Sequence, residues 1–164
     1  MKTATLFHHK GEPLQQPMPY KECGLDDVFL LSGYTPHKTP YGVGMSVKHQ
    51  DALHDAIGLH LASERKVLAG KEIRYLRTHM QLTQSDLAKL LGYSTQQVAR
   101  WEKEKSEIPG AADRLTRIIY LEHVGHLDRA QELLAKLDEM DEPTSARLCF
   151  RSTRDGWKHA MAEC

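Results

Sequence analysis

Close cysteine pairs, an excess of one charge and any long apolar run are all missing from this 164-residue chain. Cys23, Cys149 and Cys164 lie far apart and make no Cys-x-x-Cys, which argues against a disulfide framework or a four-thiolate zinc knuckle. Lys plus Arg and Asp plus Glu each number 22, and this balance excludes a histone-like coat for nucleic acid while leaving room for a local basic face. No stretch approaches the ~18 apolar residues of a membrane-spanning helix. The start, through Leu6, Phe7, His8 and His9, lacks the hydrophobic segment of a signal peptide. The expectation is a cytoplasmic protein with no membrane attachment.

Catalytic signatures are missing as well. There is no Gly-x-Ser-x-Gly, P-loop or His-Glu-x-x-His, so we expect no enzyme and no catalytic residue. His8, His9, Cys23, His37, His49, His54 and His60 are suitable zinc ligands by type, but their intervals form no ligand grid. His54 and His60, six apart on a helix, would point to different faces. No metal and no other cofactor is expected.

What is present is enough apolar residue, 40%, to bury a core, unevenly distributed along the chain. Residues 1–19 contain Pro13, Pro17 and Pro19 and few aliphatics, which reads as a mobile arm. Residues 20–69 read as a small α+β unit that leans on its neighbour or dimerises. Val28 to Leu31 is a short buried strand, Met45 to Val47 a return strand after a long turn-rich loop, and Asp51 to Ser63 an amphipathic helix. In residues 126–164, Leu127, Ala130, Leu133, Leu134 and Leu137 mark a C-terminal helix that packs on its own domain or on its twin. A basic tail from Arg147 to Lys158 follows, with solvated disorder as its default.

Residues 70–125 carry 9 basic and 7 acidic groups, a positive balance, and read as consecutive short helices. Ile73 and Leu76 point inward on the first. Thr83 is placed to cap the second, with Asp86 three residues on and Leu87, Ala88 and Leu91 on its inner face. Gly92 supplies the left-handed turn that ends it. Ser94 caps a third helix whose inward residues are Val98 and Trp101, leaving Thr95, Gln96, Gln97 and Arg100 outside. Amides pair bidentately with adenine and Arg with guanine, and a helix's first turns are the part that enters a major groove. Gln84, at the start of the preceding helix, is placed for a phosphate oxygen. Trp101 is expected in the core, and Glu102 to hold the local fold through an Arg.

The run Leu82-Thr83-Gln84-Ser85-Asp86-Leu87-Ala88-Lys89-Leu90-Leu91-Gly92-Tyr93-Ser94, followed by Val98-Ala99-Arg100-Trp101-Glu102 and Ile108-Pro109, resembles the Cro/repressor (Xre) helix-turn-helix family. The resemblance implies a mainly α, lambda-repressor-like domain, preceded here by the α+β unit and followed by the C-terminal helix. By the family pattern Thr95, Gln96 and Arg100 face bases, while Gln84, Gln97 and Lys103 approach the sugar-phosphate backbone; Ser94 joins them as the cap of the reading helix. The family usually has Gly shortly after Trp-Glu, where this chain has Lys103-Glu104-Lys105-Ser106. Tyr20 to Val28 and Gly70 to Arg77 also resemble the MqsA-type antitoxins, although the paired cysteines of that family's zinc-binding N-terminal domain are missing. The implied protein is a homodimeric repressor of its own operon, bound to double-stranded DNA at an inverted-repeat operator. The alternative is an antitoxin that binds a toxin protein and autorepresses.

Overall fold

The computed structural model describes residues 17–140 and 147–160. Its centre is a four-stranded sheet in the order β1 (Met18–Pro19), β2 (Val28–Leu30), β5 (Leu148–Thr153), β6 (Gly156–His159). β2 carries Val28 and Leu30, both buried, and needs partners on both edges. It takes β1 antiparallel on one side and β5 parallel on the other, with Leu30 beside Phe150. Pro19 has no N–H to give the ladder and sits on the edge strand, where none is needed.

Two expectations are corrected by this sheet. The stretch from Arg147 to Lys158 is an ordered hairpin and not a solvated tail: Leu148, Cys149 and Phe150 are buried consecutively at the sheet centre, and the Trp157 indole donates to the Lys48 and His49 carbonyls. Met45 to Val47 is not the return strand of β2. It belongs to β4 (Gly42–Val47), which pairs with β3 (Tyr34–Thr39), a strand formed inside the expected loop. Gly33, at φ +80°, turns the chain out of the central sheet, and an added Cβ there would lie 2.6 Å from Ser152 Cβ. Of the expected arm, residues 1–16 lie outside the described residues, and Met18–Pro19 form β1.

Both hairpins close with the same device. Thr39 Oγ1 donates to the Gly42 carbonyl and Thr153 Oγ1 to that of Gly156, each at 2.7 Å. The two-residue loops Pro40-Tyr41 and Arg154-Asp155 lie between them.

Among the described residues, six α-helices complete the fold. α1 (Gln50–Glu64) buries Leu53, Ile57 and Leu61 and packs against β6, α2 and α5. α2 (Gly70–His79), α3 (Gln84–Leu91), α4 (Thr95–Glu102) and α5 (Gly110–His123) follow. After a 3-10 turn at Leu127–Arg129 comes α6 (Ala130–Glu139), whose Leu133 and Leu137 bury against Leu121 of α5. Of the two partners expected for that stripe, the helix takes its own chain; Leu127 and Ala130 lie off the buried line.

α1 carries no basic residue in its last turn, and its terminal carbonyls are met from elsewhere. The fully buried Arg117 of α5 donates to the carbonyls of Ala62 at 3.0 Å and Arg65 at 2.5 Å, while its Nε donates to Asp113 at 2.6 Å. Asp113 in turn accepts the Leu68 N–H at 2.8 Å. A cation at a helix C-terminus satisfies orphan acceptors and the macrodipole together, and here it locks α1 to α5.

Candidate nucleic-acid interface

Each end of α3 and α4 is fixed by its own residues. Thr83 Oγ1 accepts the Asp86 N–H at 3.1 Å, and the Asp86 carboxylate returns to the Thr83 N–H at 2.9 Å. The Thr83 hydroxyl also donates to that carboxylate at 2.7 Å, and this bond first, then the one from the Thr83 N–H, holds the Asp86 carboxyl below the usual carboxylate range. Gly92 sits at φ 76°, ψ 28°, with its N–H on the Ala88 and Lys89 carbonyls. Ser94 Oγ accepts the Gln97 N–H at 3.2 Å and starts α4.

Val98 and Trp101 are the buried residues of α4, at 0% and 1% exposure, which fixes its rotation about its axis. Thr95, Gln96 and Arg100 therefore stand in solvent. Among the described residues their side chains have no hydrogen-bond or ion-pair partner. Tyr93 is packed edge-on against Trp101, ring centroids 5.0 Å apart, and stiffens the turn before the helix.

Beneath α4 lies a buried ion pair. Arg77 Nε meets Glu102 Oε1 at 2.5 Å and Nη2 meets Oε2 at 3.1 Å, while Nη1 donates to the Leu82 carbonyl at 2.8 Å. Gln84 Nε2 donates to the same Glu102 Oε2 at 2.9 Å. The expected arginine partner of Glu102 is thus Arg77, and the three side chains tie α2, α3 and α4 together. The joint with Gln84 was not legible from periodicity, because the pair is 18 residues apart.

Of the expected site residues, Ser94, Thr95, Gln96, Arg100 and Lys103 are exposed, Lys103 at the C-terminal end of α4. Gln84 and Gln97 are half-buried and already engaged, Gln97 Nε2 donating to Ser106 Oγ at 3.2 Å. Their amides are oriented by the protein itself. The loop after α4 adopts a left-handed residue without glycine: Glu104 has φ 56°, and its carboxylate accepts the Gly70 N–H at 3.3 Å.

Residues 73–111 match the family model described as Helix-turn-helix. The segment is a helix-turn-helix domain. It runs from Ile73 in α2 to the first turn of α5 and contains every contact of the Arg77–Glu102–Gln84 joint. The match supports a DNA-binding transcription regulator. No curated protein and no solved structure matches the chain. Among the described residues, no helix is long and apolar enough to cross a membrane, and no group of three or more His, Cys, Asp or Glu is placed to hold a metal ion.

Proposed function

We propose that this chain is a homodimeric, sequence-specific repressor of its own operon that lays α4 in the major groove of an inverted-repeat operator. The observation that carries the reading is the solvent-facing, uncommitted trio Thr95, Gln96 and Arg100 on a helix whose opposite side is locked by Val98 and Trp101. Arg100 is suited to a guanine edge and Gln96 to an adenine edge, while Gln84, Gln97 and Lys103 are suited to phosphates. Two copies related by a two-fold axis would read half-sites about one or two helical turns apart, ~10–21 bp. Selection of bound sequences from a random duplex pool tests this directly. Recovery of a palindrome with that spacing is expected; recovery of no sequence preference at low and moderate salt would overturn it.

The antitoxin reading is favoured by a separate observation. The β3–β4 hairpin is exposed along most of its length, and Tyr41, Val43 and Met45 stand in solvent at 99%, 73% and 37% exposure. An isolated two-stranded hairpin presenting apolar side chains suits a protein partner. Co-expression with the product of an adjacent small gene tests it: a stable complex, lost on Tyr41→Asp, supports toxin binding.

A further inference from the structure

The β3–β4 hairpin leaves the body of the protein at Gly33 and rejoins it at Lys48, whose N–H donates to the Gly33 carbonyl at 2.8 Å. From there its residues pair without a bulge, Tyr34 with Val47 through to Thr39 with Gly42. Opposed residues in an antiparallel ladder alternate between bonding each other and turning their N–H and C=O outward. Counted from the bonded pair Gly33–Lys48, the outward residues are Tyr34, Pro36 and Lys38 on β3, and Val43, Met45 and Val47 on β4.

These residues also share one face of the hairpin. Tyr34 and Val47, at its base, pack against the core, and Pro36, Met45 and Val43 carry the apolar face on into solvent. The opposite face is polar, with Thr35, Thr39 and a His37–Ser46 contact at 2.5 Å.

The two outer edges are built differently. Pro36 has no N–H to offer at an outward position of β3, and Lys38 sets a charge at another. Proline and lysine are the devices that keep a strand edge unpaired. β4, Gly42 to Val47, holds neither a proline nor a charged residue. The outward N–H groups of Val43 and Met45 bond to nothing among the described residues. One edge is closed, and the other is ready for a strand.

The strand that fits it is β4 itself. Laid antiparallel about a two-fold axis at Met45, two copies use all three outward residues at once. Met45 bonds the partner's Met45, Val43 the partner's Val47, and Val47 the partner's Val43. The apolar side chains then adjoin on one face, and no like charges are opposed. Tyr41, 99% exposed at the hairpin tip, comes level with the partner's His49 at the start of α1.

We propose that two copies of this chain join edge to edge through β4, making one sheet in the order β3, β4, partner β4, partner β3. The symmetry is that of an isologous dimer. The seam names the contact of the homodimer proposed above and rests on that reading only for its consequence at the operator. A tyrosine buries ~150–250 Å². Tyr41 and a 6-residue strand together fall short of the ~800 Å² a side of a standard interface, so the dimer is weak and reversible without DNA. The edge holds one strand at a time, and a toxin seated there excludes the second copy.

Sedimentation velocity on the full chain tests the seam. The parent is expected to pass from monomer to dimer between about 1 and 100 µM. Met45→Lys and Met45→Glu each set two like charges face to face on the axis, at a position 37% exposed in the single chain. Each should weaken self-association about tenfold or more and leave the melting temperature of the dilute monomer unchanged. An equimolar mixture of the two variants sets Lys against Glu and should associate as well as the parent. That restoration requires residue 45 to face itself, and a merely damaged hairpin does not give it.

A parent that stays monomeric up to about 100 µM overturns the seam. So does undiminished association of either variant, or a mixture that remains monomeric. A second copy held elsewhere shows as variants that dimerise like the parent, which leaves the homodimer reading standing. At the operator, Met45→Lys should lose about tenfold on a duplex with both half-sites and little on one half-site, in spite of its added positive charge. An equal effect on the two duplexes overturns the link to DNA, while sedimentation still decides the seam.

Discussion

Arg100 and Glu102 lie two residues apart on α4 and meet opposite environments. Arg100 is exposed with no partner of its own chain among the described residues, so its truncation takes nothing from the fold. Arg100→Ala should cost about 1–3 kcal/mol at the specific operator and change the melting temperature little. A gel-shift titration against operator and scrambled duplexes reads both terms; undiminished operator affinity would show that the reading face is misassigned. Glu104 is the residue-scale puzzle, because a carboxylate side chain occupies a left-handed position at φ 56° where glycine is the usual choice. The conformation costs about 1 kcal/mol for a residue with a Cβ, and the bond from Gly70 N–H returns part of it. Glu104→Ala keeps the strain and loses the bond, and should destabilise by about 1 kcal/mol in urea unfolding. Glu104→Gly loses both and should stay near the parent. Equal destabilisation by the two would mean that the backbone there is unstrained.

At the scale of elements, what was legible is what local rules decide. Thr83, Asp86, Gly92 and Ser94 set the ends of α3 and α4 through contacts within a few residues, and the inward placement of Val98 and Trp101 follows from helical period. What binds those elements together is not local. Arg77 and Glu102 are 25 residues apart, with side-chain exposures of 11% and 4%, and an arginine on a helix reads from sequence as a solvated side chain. Glu102→Ala should therefore be far costlier than its position on a polar helix suggests. It strands a buried guanidinium and removes the acceptor of Gln84, a loss of about 3–5 kcal/mol. Glu102→Gln, which keeps an acceptor for Gln84, should lose less. Chemical denaturation of the two variants separates lost charge from lost shape; parity between them would mean that the ion pair adds little. The missed hairpin carried a readable signal, since Asp155-Gly156 two residues after Thr153 is hairpin turn chemistry. The net charge of the tail reads as disorder, whereas the consecutive apolar residues Leu148, Cys149 and Phe150 form the buried strand.

At the scale of the molecule, the parallel pairing of β2 with β5 encloses the whole helical block between two adjacent strands of one sheet, with Val28 beside Leu148. Helix periods can be read one at a time, but a partnership across more than a hundred residues leaves no local trace. Ending the chain at Met140 should accordingly release β1–β2 and α1 to limited proteolysis, since β6 packs on α1 and Trp157 on the β4–α1 junction. Survival of an intact N-terminal fragment would show that β5–β6 is dispensable. The same seam makes stability depend on pH. His60 of α1 and His159 of β6 stack at 4.0 Å and 22°, with the Phe150 ring edge-on to His60. Burial foremost, then the neighbouring His159, Arg65 and Lys136, pushes His60 down to about 3, and burial lowers His159 too. Both imidazoles are thus neutral when folded and take protons more readily when unfolded, at about 6.5. Their contribution is complete above pH ~6.5 and is lost as the pH falls from there toward 3, because the unfolded chain binds more protons across that window. The urea midpoint of the parent should fall steadily from pH 7 to pH 4. In His60→Leu, which fills the same seam without a titrating group, the fall should be shallower over that interval while the midpoint at pH 7 changes less. Identical slopes for parent and variant would place the acid sensitivity in groups other than His60.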